Sequence, residues 1–331
     1  MTRRHGFSLV ELLLVTFLVG LLAIYIGQAL SANERAYQAV DQTSESQQHL
    51  RALLDLVERD IRHAALLMPE SASACGVDST TGPDTLYLAD GSAIDPDDDT
   101  AEYSGASITA GGVAAGTNTL TLSSLIIEPS PPSRGAYDLD GNNVNDSDFR
   151  VDGGIIIYEP ANPNRGTTCG HITAIDVGAG QVTAVLKGGI TNGTGPYVAV
   201  PANEYRLVGN DIQWNGIVLA GNIEDFQVAW IFDTDGDNIV DADEIFGQGG
   251  GTAYASTGAT PGTTHEDHAD LRELRVSIVA RTRLEDDEFT RGRPQAFENR
   301  DGGAFANDGF RRRAMVTRIR LRNVGTRFAA T

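Results

Sequence analysis

The chain begins with a long apolar stretch. Residues 7–30 contain a single charged residue, Glu11. An α-helix rises about 1.5 Å per residue, so roughly 20 residues cross the ~30 Å hydrocarbon layer of a bilayer. Residues 7–30 are therefore predicted to form a membrane-spanning helix.

Residues 31–68 change to a periodic pattern, in which apolar positions recur at helical spacing and charged residues occupy the remaining surface. The apolar positions are Leu50, Leu53, Leu54, Val57, Ile61, Ala64, Ala65 and Met68. The pattern predicts an amphipathic continuation of the first helix, which packs its apolar stripe on a globular head. Pro69 is expected to end it, and residues 7–67 would then form a helix about 90 Å long.

Residues 69–203 contain short β-type runs separated by Gly, Pro, Asp and Ser. The best strand candidates are residues 85–88, 119–122, 154–158 and 181–186. The acidic residues 95–99 and the Gly-rich residues 111–116 are predicted to be loops. Residues 69–203 are therefore interpreted as a variable, β-rich and Gly/Asp-rich region that forms a large insertion with many loops in the head.

Residues 204–331 form a better patterned C-terminal β region. Residues 204–208 and 211–214 flank Gly209-Asn210 and predict a hairpin, after which Asn215-Gly216 can turn the chain again. Further strands are predicted at residues 223–232, 271–283 and 311–323. In the last one, Met315, Thr317, Ile319 and Leu321 share one face, and Val316, Arg318, Arg320 and Arg322 share the other. That strand is predicted to be half buried, with its arginines facing solvent, acidic loops or neighbouring subunits.

Composition supports a β-rich head. The 331 residues include 37 glycines and only 7% aromatic residues, which is typical of a loop-rich β protein. The predicted fold class is therefore α+β, with a long N-terminal helix on an antiparallel β-rich head. The 45 acidic against 25 basic residues argue against nucleic acid as a partner, because phosphates require a positive surface.

The N-terminus carries a processing signal. Arg3, Arg4 and His5 precede Gly6, so the basic end should stay in the cytoplasm and the head should lie outside it. A secretory signal would place its small residue after the apolar run, whereas here it comes before. Glu11 is costly at that depth, about 2.5–3.5 kcal/mol at mid-membrane, and is expected to have a partner or a task.

The sequence GFSLVE at residues 6–11, followed by the apolar run, resembles the class III leader of type IV pilins and type II secretion pseudopilins. The resemblance implies that prepilin peptidase cleaves after Gly6, removing residues 1–6, and that Phe7 becomes the N-methylated first residue. It also implies that Glu11 pairs with the free amine of a neighbouring subunit. The alternative is an uncleaved signal anchor with a chance glutamate.

The C-terminal region, with the hairpin, the sequence LAGNIEDFQVAWIFDTDGD and the two later strands, resembles PilW-type minor pilins. The resemblance implies a structural, non-catalytic subunit that primes pilus assembly and carries out no turnover chemistry. It would lie in the inner membrane with a periplasmic head, and later in the extracellular pilus near its tip. Implied partners are other minor and major pilins, the inner-membrane assembly platform and a PilY-type adhesin.

Two other hypotheses stay open. A GspJ-like minor pseudopilin would share the leader and the β head, and a pilus-borne adhesive or glycan-binding module would use the middle region. The sequence contains no nucleophile elbow, P-loop or dinucleotide fingerprint, so no catalytic residue is assigned.

Cys75 and Cys169 are the two cysteines. An exported chain meets an oxidising compartment, where a disulfide is favoured over two buried thiols. Closing that interval would stabilise the fold by about 4–5 kcal/mol in the chain-entropy model.

Residues 233–244 have the ligand spacing of a calcium loop. Oxygen ligands are expected at positions 1, 3, 5, 7, 9 and 12, with the backbone carbonyl used at position 7. These positions are Asp233, Asp235, Asp237, Ile239, Asp241 and Glu244. Asn238 replaces the usual glycine, and asparagine tolerates a left-handed conformation. The preceding residues form a strand, so we expect a Ca²⁺ loop in a β head instead of an EF-hand, with an acidic solvated turn as the alternative.

Two weaker candidates follow the same reasoning. A second Ca²⁺ loop could use Asp138, Asp140, Asn142, Val144, Asp146 and Asp148, although Phe149 stands where the bidentate glutamate belongs. An Asx-rich turn is the competing interpretation. His265 and His268 could ligate a metal if helical, but a polar loop is favoured because the zinc peptidase order is missing.

Overall fold

The computed structural model describes residues 8–66, 68–89, 105–111, 113–125, 147–163, 166–190, 195–249, 251–255, 267–286, 289, 297–301 and 308–324. Gly6 and Phe7 lie outside these residues. So do His265 and the second acidic loop up to Asp146.

Helix α1 runs over Leu9–His63 as one continuous element. Its N-terminus is a capping box, in which the Ser8 side chain and the Glu11 carboxylate satisfy backbone N–H groups that have no helical partner. At about 1.5 Å per residue the helix is roughly 80 Å long.

The helix ends at His63, earlier than Pro69, where the sequence pattern placed its end. The helix ends early because of contacts with a residue that is distant in the sequence. Ala64 leaves the helical conformation with ψ 140°. The Asn323 side-chain amide donates to the carbonyls of Arg62, His63 and Ala64 at 3.2–3.4 Å. These contacts satisfy the last carbonyls of α1 before proline is reached.

The strands are all paired antiparallel and form two sheets. The first sheet contains β1 Ala74–Val77, β2 Thr85–Leu88, β3 Ala106–Ala110, β4 Gly116–Leu122, β5 Gly154–Tyr158, β6 Thr167–Asp176, β7 Gln181–Leu186, β8 Val198–Val208, β9 Asp211–Trp214 and β10 Ile217–Ala220. The second contains β11 Ile223–Phe232, β12 Ile245–Phe246, β13 Leu271–Arg281 and β14 Arg312–Arg320. Its strand order is β12-β11-β13-β14.

Strand β8 serves two parts of the first sheet. Its first half pairs with β3 and β5, and because the order β8-β3-β4-β7-β6-β5 returns to β8, six strands close into a barrel. Its second half pairs with β2 and β9. The predicted boundary between residues 203 and 204 therefore falls inside one strand. In the described part of residues 69–203, the chain forms β1 to β7 and the first half of β8.

Three apolar clusters follow this layout. One fills the barrel, with Leu120, Ile157 and Val182 among its members. Another lies between the barrel and β1–β2. The largest joins the two sheets to the C-terminal half of α1, whose buried residues are Leu50, Leu53, Leu54, Val57, Asp60 and Ile61.

The predicted α+β class is confirmed, as are the hairpin of β8 and β9 and the turn at Asn215-Gly216. Both turn residues have positive φ, 48° and 78°, as a tight hairpin turn requires. In β14, Ile319 is buried while Arg318 and Arg320 are exposed, so the predicted alternation is also present.

Candidate functional site

The first half of α1 presents a continuous apolar surface. Its large apolar side chains from Leu9 to Leu30 are at least 50% exposed. Among the described residues, α1 is the one helix long and apolar enough to cross a membrane. A surface this large and apolar needs an apolar environment, either lipid or other helices.

The Glu11 carboxylate has a hydrogen-bond donor within its own chain. It accepts the Ser8 backbone N–H at 3.0 Å, and the Ser8 hydroxyl accepts the Val10 N–H at 3.4 Å. The carboxylate thus lies beside the end of the helix that cleavage after Gly6 would expose. Gly6 and Phe7 lie outside the described residues, so their roles, and the pairing of Glu11 with the amine of a neighbouring subunit, stay predictions.

The second half of α1 is attached to the head by a buried polar contact as well as by its apolar stripe. Asp60 is 5% exposed and accepts a hydrogen bond from the Tyr205 hydroxyl on β8. Arg59 lies 3.2 Å from the same carboxylate. Asp60 was missed in the sequence, although an acid inside the apolar stripe, next to Ile61, is the signal that could have identified it.

A disulfide joins Cys75 on β1 to Cys169 on β6, with 6.1 Å between their Cα atoms. Both residues are buried. The bond connects the strand that follows α1 to the wall of the barrel, so it fixes the barrel relative to the helix.

The loop after β11 gathers three of the predicted calcium ligands. Asp233, Asp235 and Asp237 each have a carboxylate oxygen within 4.8 Å of those of the other two. The loop closes by Asx turns, since Asp235 accepts the Asp237 N–H at 3.0 Å and Asp237 accepts the Ile239 N–H at 2.6 Å. Asp241 and Glu244 are not part of this close group.

Gly236 and Asn238 give the loop its curvature. Both adopt positive φ, 77° and 61°. Asparagine enters this left-handed region more readily than most residues, so Asn238 can take the place of the usual glycine.

The Glu244 side chain joins the two ends of the loop through hydrogen bonds to backbone N–H groups. Its carboxylate accepts the N–H groups of Thr234 at 2.7 Å and Asp241 at 3.0 Å. Burial opposes its ionisation, but these hydrogen bonds outweigh it and lower the pKa of Glu244. The pKa of Asp241 is raised by partial desolvation and by the nearby carboxylates, first that of Asp237.

The burial and hydrogen bonding of the Asp233 carboxylate indicate whether the loop suits a cation. Asp233 is 3% exposed, and Arg272 donates to its Oδ2 at 3.3 Å. Its Oδ1 is buried without a hydrogen-bond partner. A buried carboxylate oxygen of this kind is costly unless something positive meets it. Together with two further carboxylates, it is a donor set that suits a hard cation such as Ca²⁺.

Most residues of the two weaker metal-site candidates lie outside the described residues. Of the six ligands proposed in the second loop, Asp148 is the one within the described residues, and it is buried. His268 is buried in a short helical turn, where its Nε2 lies 2.7 Å from the Tyr254 hydroxyl. His265, its proposed metal-binding partner, lies outside the described residues.

Asp84 is another buried acid, and no local pattern in the sequence predicts its burial. It lies between β1 and β2 and accepts the N–H groups of Ser79 at 2.8 Å and Val228 at 2.7 Å. Burial raises the pKa of Asp84 to about 8. Because Val228 is on β11, this side chain connects the two sheets.

No protein-family profile and no curated protein sequence matches the chain significantly. Among solved structures, a type IV-like pilin from Thermus thermophilus is similar over 53% of this chain and 87% of its own, with 12% sequence identity and a TM-score of 0.24. The structure itself establishes a long, half-exposed helix carried by an antiparallel β head.

Proposed function

We propose that this protein is a pilin-type subunit, made as a membrane precursor and assembled through its N-terminal helix. One observation carries the proposal: α1 is a single helix whose first half is apolar and exposed and whose second half is buried in the head. An exposed apolar half-helix would be unfavourable in water. A subunit that moves from a bilayer into a helical bundle needs the apolar half for both of these environments and the buried half to hold the head.

The leader residues supply the chemistry of this function. In the proposal, prepilin peptidase cleaves after Gly6 and the amine of Phe7 is methylated. In the precursor, the Glu11 carboxylate is occupied by the Ser8 N–H. During assembly it pairs with the amine of a neighbouring subunit, which offsets the cost of a carboxylate among apolar helices.

We further propose the PilW-type minor pilin as the subclass, with a structural, non-catalytic role in priming the pilus near its tip. The basis is the pattern of the C-terminal sheet, β11 to β14, in which the strand IEDFQVAWIF runs directly into the acidic loop. The partners would be other pilins, the inner-membrane platform and a PilY-type adhesin. A GspJ-like pseudopilin of type II secretion is the alternative within the same architecture.

The adhesive alternative would need exposed aromatic residues on the head, and the described residues show none. In the described part of the head, the large exposed apolar side chains are aliphatic, while the exposed aromatic residues Phe17, Tyr25 and Tyr37 lie on α1. Glycan sites generally present aromatic faces, so we retain the assembly role as the conclusion.

We also propose that the loop at residues 233–244 binds Ca²⁺. Asp233, Asp235 and Asp237 would hold the ion, with the Ile239 carbonyl and Asp241 as further ligands. Glu244 would have to exchange its hydrogen bonds for the metal. The ion would neutralise the clustered carboxylates and make the loop that follows β11 more rigid. It would serve stability and not turnover.

Variants of Glu11 test the assembly role. Glu11→Gln keeps a hydrogen-bond acceptor for the Ser8 N–H but loses the charge, whereas Glu11→Ala loses both. We expect both variants to remain in the membrane and both to be depleted from sheared filaments. Normal incorporation of Glu11→Gln would show that the helix cap, and not the charge, is what assembly requires.

A further inference from the structure

Strand β14 is an edge of the second sheet and is followed by exposed arginines that have no acidic partner. Among the described strands, β13 is the one that pairs with it. Arg318 forms an ion pair with Glu273 on β13. The side chains of Arg320 and Arg322 are exposed, and neither forms an ion pair or a hydrogen bond with any described part of the chain. We call these two residues the arginine edge.

The absence of a partner for the arginine edge is not due to a shortage of acids. The chain has 45 acidic and 25 basic residues, which gives a formal net charge of −20. Buried arginines elsewhere in the second sheet do have acids, as in the pair of Arg275 with Glu298 at 2.6 Å. The arginine edge is therefore a positive surface that the chain leaves open.

The arginine edge faces away from α1. Arg320 and Arg322 alternate with Ile319 and Leu321, which are buried in the cluster that packs on the helix. The two arginines thus lie on the outer face of the sheet, beside its free edge, where another molecule can reach them.

The acidic loop at residues 233–244 lies at the same end of this sheet. Arg272, near the start of β13, contacts both features. Its carbonyl accepts the Leu321 N–H at 2.9 Å, and its guanidinium lies 3.3 Å from the Asp233 carboxylate. The loop leads from β11 to β12, the opposite edge of the described sheet. Strands are about 4.8 Å apart, so β12 and β14 are separated by roughly 14 Å.

The loop is strongly negative. It contains six acidic residues and no basic one. Asp235, Asp237, Asp241 and Asp243 are exposed, and Asp243 is outside the proposed set of calcium ligands. Because Ca²⁺ offsets two of the six charges, the loop stays negative with an ion bound. Each molecule therefore carries complementary surfaces on opposite edges of one sheet, at the same level.

The position of the arginine edge argues against two other anionic partners. Asn323 donates to the carbonyl of His63, so this end of the sheet lies at the end of α1. From Leu30 to His63 the helix rises about 50 Å, which puts lipid headgroups out of reach. The net charge of −20 disfavours nucleic acid. An acidic protein surface is the partner class that fits.

We propose that the arginine edge binds the acidic loop at residues 233–244 of a second copy of this chain. The inference rests on the proposed pilin-type subunit, in which neighbouring α1 helices lie side by side and hold the two surfaces at one level. The two surfaces differ, so the contact is heterologous. Every pair of molecules leaves one surface of each kind free, and the contact can continue from subunit to subunit.

Cross-linking of the full chain in membranes tests this contact. The two native cysteines are joined to each other, so Val316→Cys/Ala242→Cys provides one free thiol beside each surface. Val316 is 48% exposed on the face that carries Arg320, and Ala242 is exposed next to Asp243. A flexible bis-maleimide must cover the roughly 13 Å that four strand residues span.

The matched control pair is Val177→Cys/Ala242→Cys, because Val177 is an exposed apolar residue at a turn of the barrel. Membranes are taken from cells that contain a prepilin peptidase. We expect the test pair to give a ladder of dimers, trimers and larger species, and the control pair to give several-fold less product.

Charge reversal identifies the partner. In the test pair, Arg322→Glu should reduce the ladder several-fold, and so should Asp243→Arg. The chain that carries both changes should regain the ladder, because the two charges have been exchanged. Arg51→Glu, at an exposed arginine on α1, should leave the ladder unchanged.

Three results would overturn the contact and leave the membrane-anchored subunit intact, provided that the chain resists alkaline extraction. The first is the absence of a ladder. The second is cross-linking that stops at the dimer, since two identical surfaces would then face each other. The third is a loss with Arg322→Glu that Asp243→Arg does not rescue, which assigns the arginine edge to a different acidic protein. Release of the chain by alkaline extraction would instead refute the proposed membrane precursor.

Discussion

Tyr205 on β8 donates a hydrogen bond to the buried carboxylate of Asp60 on α1. Strand β8 pairs with barrel strands in its first half and with β2 and β9 in its second half, so this contact ties α1 to a strand shared by both parts of the first sheet. Asp60 lies within the apolar stripe, between Val57 and Ile61, and its desolvation must be compensated there.

Replacing Tyr205 with phenylalanine should therefore destabilise the head. Removing a hydrogen bond to a charged group costs about 1.5–3 kcal/mol, and the buried Asp60 would keep Arg59 but lose the Tyr205 hydroxyl. Urea unfolding of the full chain in detergent, followed by near-UV circular dichroism, measures the change. Tyr37→Phe, at a 76% exposed position on α1, is the control and should have no effect. Equal stability of the two variants would contradict a structural role for the contact.

The disulfide should supply a large part of the stability. It closes a loop with a sequence separation of 94, and the chain-entropy model gives about 4–5 kcal/mol for that length. The double variant Cys75→Ser/Cys169→Ser should unfold at a clearly lower denaturant concentration than the oxidised protein, and the reduced wild type should behave like the variant. An unchanged midpoint would show that the barrel is held in place without the bond.

Calcium should stabilise the head through the loop at residues 233–244. An ion present at a hundred times its dissociation constant adds about 2.7 kcal/mol to the free energy of unfolding. Asp235→Ala/Asp237→Ala should lose the rise in melting temperature with Ca²⁺, while Asp176→Ala, an exposed acid on a barrel turn, should retain it. If a chelator leaves the melting temperature of the wild type unchanged, the loop is a solvated turn.

Asp84 should make stability depend on pH. Burial raises its pKa from 3.8 to about 8 in the folded protein, so between these values the folded state holds one more proton than the unfolded state. Its contribution is fully present below about pH 4 and is lost as the pH rises through about 8, with a slope of at most about 1.4 kcal/mol per pH unit.

Asp84→Asn should flatten this part of the profile of unfolding free energy against pH, even if the variant is less stable throughout. Asp55→Asn, an exposed acid on α1, should leave the slope unchanged. A wild-type profile that rises between pH 5 and 8 would mean that Asp84 is ionised in the fold, held by the N–H groups of Ser79 and Val228.

The elements that depend on local pattern were predictable from the sequence. The helical spacing from Leu50 to Ile61 and the alternation in β14 are set by which side chains must leave water, so the pattern and the burial agree. The turn at Asn215-Gly216 was predictable because few residues adopt its positive φ.

What the sequence could not reveal depends on contacts between distant residues. The closure of the barrel requires β8 to pair with both β3 and β5, a register that no local pattern specifies. The end of α1 at His63 depends on Asn323, from the far end of the chain. In the acidic loop, the spacing predicted six ligands, whereas the folded loop brings three carboxylates together and Glu244 accepts backbone N–H groups.

The central claim is that α1 is released from its basic leader and drawn into a filament. Intact-protein mass spectrometry of the chain, purified from the membranes of cells that contain a prepilin peptidase, tests it most directly. We predict a mature chain that lacks residues 1–6 and carries one methyl group on Phe7, and an unprocessed chain for Gly6→Val. Recovery of the wild-type chain with residues 1–6 still attached would contradict the account.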